Sequence, residues 1–531
     1  MSTNTDLANL FQMTATILEI KGENGFKVNA NIKVARILEE MTEDICSISD
    51  PSTINGIGKS SAKKIKQFIQ TGAIAEFSEL AASIPTGLLD VMQVQGLGPK
   101  TVGRLWKEAD VIDLSTLRKS IDDGRLETLP RMGKKTIDNI SDALAFLESS
   151  SGRKRIGDAM PIAEAIIATL KSIKGVTHID FAGSLRRGKE TIGDIDLLAS
   201  TDDPDLLSES FCSMDNVNKI LAHGKTKCSV RIEDGIQVDL RVVDNDVFGA
   251  AMLYFTGSKE HNVALREQAI KQGKRLNEYG VFENDGEESP PQQRGVIAIA
   301  SDTEEEIYKV LGSHWIPPEL REDRGELDCK ELIPLITKSD IQCDLHCHTT
   351  ASDGHMSIKE LGMHGIARGY HTIAITDHSQ SSAQANGLKP IQLRRHIDAI
   401  REVNEILEDI TLLAGSEVDI LTNGDLDYED ELLALLDIVV ASPHASLQQS
   451  STDATARILK AIEHPLVHII GHPTGRIINK RKGLEPDMKT LVDAATEHNT
   501  AMELNANSLR LDLRDTHVKA AVAAGTMISI N

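Results

Sequence analysis

Two aspartates separated by one residue, placed soon after a glycine-serine turn, constrain the fold of this chain more than any other feature. In the run Asp194-Ile195-Asp196 the flanking apolar residues predict a strand, and alternate side chains of a strand lie on one face. The two carboxylates would therefore lie side by side, and their repulsion favours a cation such as Mg²⁺ or Mn²⁺ between them. A third carboxylate, Asp239, is predicted on a second strand, Val238–Val243. Three such acids can bind two ions that activate an attacking oxygen and neutralise a leaving pyrophosphate.

The turn before these aspartates is predicted to bind an anion, whereas the aspartates bind a cation. Backbone N–H groups after Gly183, the Ser184 hydroxyl and the Arg187 guanidinium are predicted to form a phosphate-binding turn. A lone pair of alternating aspartates is common on solvated strand ends, so the argument depends on the full spacing. That spacing is G-S-x-x-R-G before G-D-I-D-L-L and a later V-D-L-R, and it predicts nucleotidyl transfer. Upstream, Pro161–Leu170 has the spacing of a helix with one buried stripe.

The combined pattern resembles the nucleotidyltransferase palm and, within it, the family X DNA polymerases. Further matching stretches are Arg155, Gly224–Lys227, Tyr254–Ser258 with Asn262 and Arg266, and Asn277–Tyr279. The resemblance implies that Asp194 and Asp196 bridge two ions, while Asp239 binds the catalytic ion and receives the primer 3′-hydroxyl proton. The implied dNTP-binding residues are Arg155, Gly183, Ser184, Arg187, Gly193, Tyr254, Phe255, Gly257 and Asn262. Arg241 and Arg266 are implied to contact DNA; ordinary core packing is the alternative for the two aromatic residues.

A glycine-containing turn recurs three times in the predicted helical region before the palm. The copies are Ile54–Lys59, Val94–Lys100 and Leu129–Lys134, and each precedes a stretch with helical spacing. One copy is explained by helix capping, but three copies with lysines resemble helix-hairpin-helix motifs, whose turn N–H groups bind DNA phosphates. The third copy is the weakest because Arg131 replaces its first glycine. The implied DNA contacts are Gly56, Gly58, Lys59, Lys64, Gly96, Gly98, Lys100, Gly133 and Lys134.

Lys64 lies where some members of that family carry a Schiff-base lysine that removes 5′-deoxyribose phosphate. Its surroundings depart from their pattern, because Ser60 replaces a supporting lysine and Asn31-Ile32 replaces a Tyr-Arg pair. A simple phosphate contact is the alternative role of Lys64. Lyase activity is therefore left open.

Most histidines lie beyond an acidic linker, where short apolar segments each end in a candidate metal ligand. Ile341–His348 ends in His346 and His348, whose imidazoles lie on one face of a strand. Later segments lead to His378 after 372–376, Glu417 after 411–415, His444 after 438–441, and His472 after 467–470. Met502–Leu504 and Met527–Ile530 complete seven strands, which alternate with helices and predict a parallel barrel with its ligands at one mouth. Imidazoles mixed with carboxylate suit Mn²⁺ or Zn²⁺ and predict phosphoester hydrolysis.

The patterns H-x-H-T-x-x-S-D-G, T-D-H-S, G-S-E-V-D, S-P-H and G-H-P resemble the PHP (polymerase and histidinol phosphatase) domain, from about Gln342 to the end. The resemblance implies a distorted (β/α)7 barrel, Asp353 as a further metal ligand, and 3′–5′ exonuclease or phosphoesterase activity. Family members continue the last strand into an Asp and a His that complete a trinuclear site. The chain ends at Asn531, before these residues, so we expect a truncated domain.

The expected architecture is multidomain α/β, with an α+β palm. The predicted domains are a lyase-type helical N-terminal domain (1–88), a helical DNA-binding subdomain (89–150), the palm (151–247), a C-terminal polymerase subdomain (248–316), a linker (317–337) and the PHP domain (338–531). The net charge of −23 disfavours a uniformly basic DNA-binding surface, but basic residues cluster within Lys59–Lys66, Arg131–Lys135 and Arg153–Arg155, which coincide with motifs. No long apolar run or signal-like start occurs, and the six cysteines include no C-x-x-C pair. We therefore expect a cytoplasmic, nucleoid-associated monomer with free thiols and no membrane contact.

These patterns predict a polymerase that fills short gaps during base excision repair, using dNTP and gapped or primed DNA, joined to a PHP nuclease. One alternative is a template-independent nucleotidyltransferase with a phosphatase domain. Another is a DNA-binding scaffold with a decayed PHP site. The metal ligands alone also allow a small-molecule phosphatase.

Overall fold

The computed structural model describes residues 3–41, 44–94, 96–130, 132–150, 152–287, 289–331 and 334–531. Gln95 and Arg131, in the second and third predicted turns, and Ser151, where the palm was predicted to begin, lie outside these ranges. The chain divides into two compact units. One comprises 1–150, 343–503 and 515–529, and the other comprises 151–342, 504–514 and 530–531. Among the described residues, no helix has the length and apolar character needed to cross a membrane.

Helices account for the N-terminal region, and no described residue before Lys154 lies in a strand. The helices are α1 (Thr3–Lys21), α2 (Gly25–Glu40), α3 (Lys59–Thr71), α4 (Ala75–Ala82), α5 (Leu88–Val91), α6 (Pro99–Ala109), α7 (Leu114–Asp122) and α8 (Lys134–Ser150). Helix α1 contributes to two apolar cores. Phe11 packs with residues of α2, α3 and α4, whereas Ile20 packs with residues of α5 to α8.

A five-stranded mixed sheet forms the palm. Its elements are β1 (Lys154–Arg155), α9 (Ile156–Lys171), β2 (Val176–Phe181), α10 (Gly183–Arg186), β3 (Thr191–Ile192), β4 (Asp194–Thr201), α11 (Pro204–Cys212), β5 (Val217–Ala222), β6 (Lys227–Ile232) and β7 (Gln237–Val243). The strand order is β2-β4-β7-β6-β5, in which β4 and β7 are parallel and the other neighbours are antiparallel. Along β4, Ile195 and Leu197 pack under α9 and α11, so the alternate aspartates lie on the opposite face. Helix α9 begins five residues earlier than predicted and contains Pro161 in its interior.

The C-terminal polymerase subdomain packs on the carboxylate face of this sheet. Its elements are α12 (Phe248–Thr256), α13 (Lys259–Lys271), β8 (Lys274–Asn277), β9 (Gly280–Glu283) and α14 (Glu304–Val310). Ala251 and Met252 of α12 pack against Leu198 of β4. A buried ion network adds to this apolar contact, because Glu304 accepts paired hydrogen bonds from both Arg186 and Arg321.

Seven parallel strands with intervening helices form the C-terminal domain. Its elements are β10 (Cys343–Cys347), α15 (Ile358–Ala367), β11 (Thr372–Ile375), α16 (Pro390–Asn404), β12 (Thr411–Asp419), α17 (Asp430–Leu433), β13 (Ile438–Ser442), α18 (Ser451–Ile462), β14 (Ile469–Ile470), α19 (Met488–His498), β15 (Ala501–Leu504), α20 (Asp515–Ala524) and β16 (Ile528–Ile530). The strands lie in sequence order, and each pair from β10 to β15 is parallel. The predicted fold class, with its helical N-terminal region, palm and seven-stranded barrel, is confirmed.

Candidate active sites

Strands β4 and β7 bring three aspartates together at one edge of the palm. The parallel register pairs Asp196 with Asp239, and Asp194 lies two residues earlier on β4. One carboxylate oxygen from each residue lies within 4.8 Å of the other two. The structure therefore assembles the acidic cluster that the sequence predicted, in reach of shared ions.

The environment of Asp196 shows why this cluster suits a cation. Burial, followed by the charges of Asp194 and Asp239, raises the pKa of Asp196 to about 6. A divalent ion would remove the repulsion that causes part of this shift. Gln237, which the sequence analysis missed, donates a hydrogen bond from Nε2 to Asp239 Oδ1 at 2.9 Å. The signal was its position two residues before Asp239, on the same strand face.

The glycine-serine turn lies directly against the aspartates. Gly183 has a φ of +59°, and a Cβ atom at this position would lie 2.1 Å from Asp196 Oδ2. The backbone N–H of Ala182 donates to the Asp196 carbonyl at 2.8 Å. Only glycine allows this approach, which places Ser184 and the start of α10 beside the carboxylates.

The two predicted triphosphate arginines are each bound to carboxylates. Arg187 donates from Nε to Glu322 Oε1 at 2.9 Å and from Nη1 to the Thr256 carbonyl. Arg155 pairs with both oxygens of Asp158, at 2.7 and 3.0 Å. A triphosphate would have to compete with these carboxylates. No sequence pattern predicts the Arg187–Glu322 pair.

The aromatic residues of α12 extend the site on the carboxylate face. Phe255 lies 4.4 Å from the guanidinium of Arg241, which shares a face of β7 with Asp239. Tyr254 contacts Phe255 edge to face and is 38% exposed, so it is not a core aromatic. Asn262 donates from Nδ2 to the Tyr254 carbonyl at 2.8 Å.

Three neighbouring predicted residues are placed around this cluster. Gly257 follows α12, and a Cβ atom there would lie 3.2 Å from Arg187 Nη1. A Cβ atom at Gly193 would lie 3.0 Å from Arg153 Nη1. Arg266, one turn along α13, donates to the Asn262 carbonyl at 3.1 Å and is exposed.

The three glycine turns share one backbone hydrogen-bond pattern. The turn bonds join Ile57 N–H to Ile54 O, Leu97 N–H to Val94 O, and Met132 N–H to Leu129 O, at 3.1 to 3.2 Å. The glycine before each helix then accepts the first helical bond, so Gly58, Gly98 and Gly133 have equivalent positions. At Gly58 and Gly98 no side chain caps the helix, which leaves first-turn N–H groups available to an anion. The third turn keeps this pattern although it lacks the first glycine.

The predicted lysines lie on or near these turns with different partners. Lys59 begins α3 and is exposed. Lys100, in the first turn of α6, lies 3.6 Å from Glu19 Oε1. Lys134 begins α8. Lys64 pairs with Glu76 at 2.9 Å, and its ammonium lies 4.8 Å from the Phe77 ring centre.

In the barrel, the predicted ligands surround one buried glutamate. Glu417 lies at the centre, and its nearest carboxylate oxygen is 2.9 to 3.4 Å from a ring nitrogen of each histidine: His346, His348, His378, His444 and His472. Asp353 extends the cluster, 2.7 Å from His348 Nδ1 and 3.4 Å from His378 Nε2. Three groups of three residues have ligand atoms within 4.8 Å of one another, and Glu417 and His378 each belong to two of these groups. All seven predicted ligands therefore converge, as the alternation of strands and helices predicted.

The cluster has the charge balance of a cation site. Although burial opposes it, the carboxylates of Glu503 and Glu417 raise the pKa of His346 well above its usual value. His378 is raised to a pKa of about 10 through Asp353 and Glu417, again against the effect of burial. Conversely, burial would raise the pKa of Glu417, but the surrounding imidazoles hold it well below its usual range. Bound ions would replace the imidazole protons.

Two unsatisfied atoms support this fit. Glu417 Oε1 and His378 Nδ1 are buried and form no hydrogen bond, although several donors and acceptors lie close by. Buried polar atoms of a native protein normally have partners, so these atoms have the position expected of metal ligands.

Supporting acids orient the imidazoles, and the sequence analysis missed them. Glu503 of β15 lies 2.7 Å from His346 Nδ1, and Asp419 of β12 lies 2.7 Å from His444 Nδ1. Such outer carboxylates fix which ring nitrogen faces the ion. The available signal was an acid within a short apolar strand.

Four family models match parts of the chain. They are described as a helix-hairpin-helix domain (residues 2–74), a SAM-like helix-hairpin-helix tandem (88–145), a DNA polymerase beta thumb (251–322) and a PHP domain (344–507). Their order follows that of the helical region, the C-terminal polymerase subdomain and the barrel.

Relatives match nearly the whole chain or a part of it. The chain is 37% identical over 529 residues to "DNA polymerase/3′-5′ exonuclease PolX" of Bacillus subtilis. This match covers 99% of this chain and 91% of that protein. It is 22% identical to "DNA polymerase lambda" of Arabidopsis thaliana over 60% of this chain and 62% of that protein. A "Probable phosphatase" of Syntrophotalea carbinolica is 32% identical over 32% of this chain and 66% of its own length.

Proposed function

Because the chain belongs to the family X DNA polymerases that carry a C-terminal PHP domain, we propose that it fills short gaps in DNA during base excision repair. The palm would transfer a nucleotide from dNTP to the primer 3′-hydroxyl, and the barrel would remove nucleotides from 3′ ends. The observation that carries this proposal is the convergence of three aspartates beside the Gly183 turn. A scaffold with decayed sites would not maintain both this cluster and the histidine cluster.

In the palm, the proposed ions are Mg²⁺ or Mn²⁺ held by Asp194, Asp196 and Asp239, where they would neutralise charge that develops on the transferred phosphate. Asp239 is the proposed acceptor of the primer hydroxyl proton. Gln237 donates a hydrogen bond to Asp239 Oδ1, and this contact fixes the orientation of the carboxylate and therefore of Asp239 Oδ2. The turn N–H groups and Ser184 would hold phosphate oxygens.

Nucleotide binding also requires a change of partner at Arg187. Its guanidinium is bound to Glu322, whose other oxygen lies 3.3 Å from Lys189 Nζ. A triphosphate would take the place of the Glu322 carboxylate at Arg187. Arg187 therefore stays ordered before the nucleotide arrives, which reduces the entropy cost of binding.

In the barrel, the proposed ions are Mn²⁺ or Zn²⁺, which would supply a water of lowered pKa for phosphodiester hydrolysis. Glu417 and the surrounding imidazoles would hold these ions. Glu503 and Asp419 would keep His346 and His444 in the required orientation. A DNA 3′ end is the substrate that fits a polymerase partner, and a small phosphate ester is the second candidate because of the phosphatase relatives.

The remaining features complete the proposal. The three hairpin turns would bind the DNA backbone, and Lys64, in the helix that follows the first turn, would contact phosphate by exchanging its present partner Glu76. A 5′-deoxyribose phosphate adduct trapped on Lys64 by borohydride would contradict that role. The protein would act as a monomer on the nucleoid.

Gap filling tests the palm. Asp239→Ala should abolish insertion into a one-nucleotide gap and leave gapped-DNA binding nearly unchanged, because the carboxylate acts on the reaction and not on the duplex. Asp244→Ala is the matched control and should insert normally, because Asp244 is an exposed acid just after β7 whose side chain makes no capping hydrogen bond. Equal insertion of all four nucleotides opposite one template base would instead favour a template-independent enzyme.

Degradation of a labelled 3′ end tests the barrel. His346→Ala should remove digestion and spare gap filling, whereas His364→Ala, on the exposed side of α15, should change neither. Digestion that survives in the His346 variant would place the nuclease elsewhere. The phosphatase would be favoured if the unmodified chain hydrolyses a small phosphate ester but digests no DNA, and if His346→Ala loses that hydrolysis.

A further inference from the structure

Two cysteines and a histidine, none of which belongs to a proposed active site, converge in the palm. Cys212 ends α11, His223 follows β5, and Cys228 lies in β6. Both sulfur atoms and one imidazole nitrogen lie within 4.8 Å of one another. These three elements are separate in sequence, so the fold itself brings the donors together.

The cluster lies on the face of the sheet opposite the three aspartates. In the antiparallel register, Cys228 pairs with Leu240 and the next residue, Ser229, pairs with Asp239. Because side chains alternate along a strand, Cys228 and Asp239 point to opposite faces. Both cysteines are buried in the core beneath α11, with 8% and 1% exposure, while His223 is exposed. An ion could therefore reach the cluster from the side of His223.

We propose that Cys212, His223 and Cys228 bind one thiophilic divalent cation of the Zn²⁺ class. Two thiolates with one imidazole form a donor set that binds Zn²⁺ in preference to the hard ions Mg²⁺ and Ca²⁺. Three protein ligands leave the fourth tetrahedral position to water. Binding would release the thiol protons to solvent.

The site would stabilise the turn at residues 224–227, which has no function in the proposed nucleotidyl transfer. Gly224–Lys227, one of the stretches that matched the polymerase family, connects His223 directly to Cys228. Its Gly224 carbonyl already accepts hydrogen bonds from Ser208 and from Cys228, each at 3.1 Å. A bound ion would join both ends of the turn to α11. It would thereby fix Lys227, whose register partner Arg241 lies two residues from Asp239.

Cobalt binding tests this site directly. The metal-free full chain, kept reduced with a phosphine and given excess Co²⁺, should show the near-ultraviolet charge-transfer absorption of cobalt–thiolate bonds with the intensity of one two-thiolate site per chain, and Zn²⁺ should abolish it. Cys228→Ser should lose the band. His223→Ala changes only an exposed side chain and should fold, yet weaken Co²⁺ binding at least about tenfold, because even loss of an outer-shell partner costs about that much and His223 would be a direct ligand.

Two controls separate this site from the rest of the chain. Cys329→Ser removes an exposed cysteine and should keep the band. His346→Ala disrupts the barrel cluster and should also keep it, so failure of the nuclease proposal would not affect the result. The proposal is wrong if the unmodified chain shows no band, if the band survives in Cys212→Ser, or if Cys212 and Cys228 form a disulfide that excludes the ion.

Discussion

At the residue scale, Asp196 is expected to destabilise the metal-free protein as the pH rises. Its pKa in the folded chain is raised from 3.8 to about 6, so folding favours the protonated carboxyl. The loss of folding free energy is absent well below pH 3.8 and grows between pH 3.8 and about pH 6. Above about pH 6 it reaches at most about 3 kcal/mol. Asp196→Asn should therefore raise the melting temperature in chelator near pH 7.5, with about one third of that effect near pH 4.5.

Calorimetry of both proteins at the two pH values measures this difference. Added Mg²⁺ should stabilise the unmodified chain more than the Asp196 variant, because the ion relieves the same repulsion. Asp244→Asn, with its exposed carboxylate, should leave the melting temperature unchanged at both pH values. An equal shift for Asp196→Asn at both pH values would show that a cause other than ionisation is responsible.

At the element scale, Glu304 at the start of α14 joins the C-terminal polymerase subdomain to the palm. It binds Arg186 and Arg321, and despite burial these arginines hold its pKa at about 2. Glu304→Gln would leave the buried Arg321 and the half-buried Arg186 without their counter-charge and should destabilise the chain by about 3–5 kcal/mol at neutral pH. Glu305→Gln, on the exposed side of the same helix, should cost little. Denaturant unfolding measures both effects, and equal stability of the two variants would contradict the coupling.

The sequence predicted those elements whose pattern is local. Five barrel strands lie where an apolar segment precedes a candidate ligand, the last two lie at the predicted segments 502–504 and 527–530, and the D-x-D spacing located β4. Helix α9 begins earlier than predicted because Pro161, which usually marks a helix start, lies in its interior. The Arg187–Glu322 pair joins residues 135 positions apart, and no periodicity reveals such a contact. Glu503 was missed because a strand assignment does not show which side chain meets a distant histidine.

At the scale of the whole molecule, a net charge of −23 has to coexist with DNA binding. The hairpin turns resolve this conflict locally, because they combine lysines with backbone N–H groups at helix starts. Phosphate binding by a few residues depends on counterion release, whereas exposed charges more than about 8 Å from the phosphate are largely screened at physiological salt. Affinity for DNA should therefore depend on single turn lysines, even though the protein as a whole is acidic.

Lys59 provides the test of that dependence. Lys59→Ala should weaken binding of gapped DNA uniformly across sequences and lower the slope of log affinity against log salt by about one, the contribution of one phosphate contact. Lys66→Ala is the matched control, because Lys66 lies about two turns further along the same helix, away from the N–H groups at its start. Fluorescence anisotropy across a salt series measures both slopes. If the two variants lose the same slope, general charge and not the geometry of the turn determines DNA binding, and the hairpin assignment loses its physical basis.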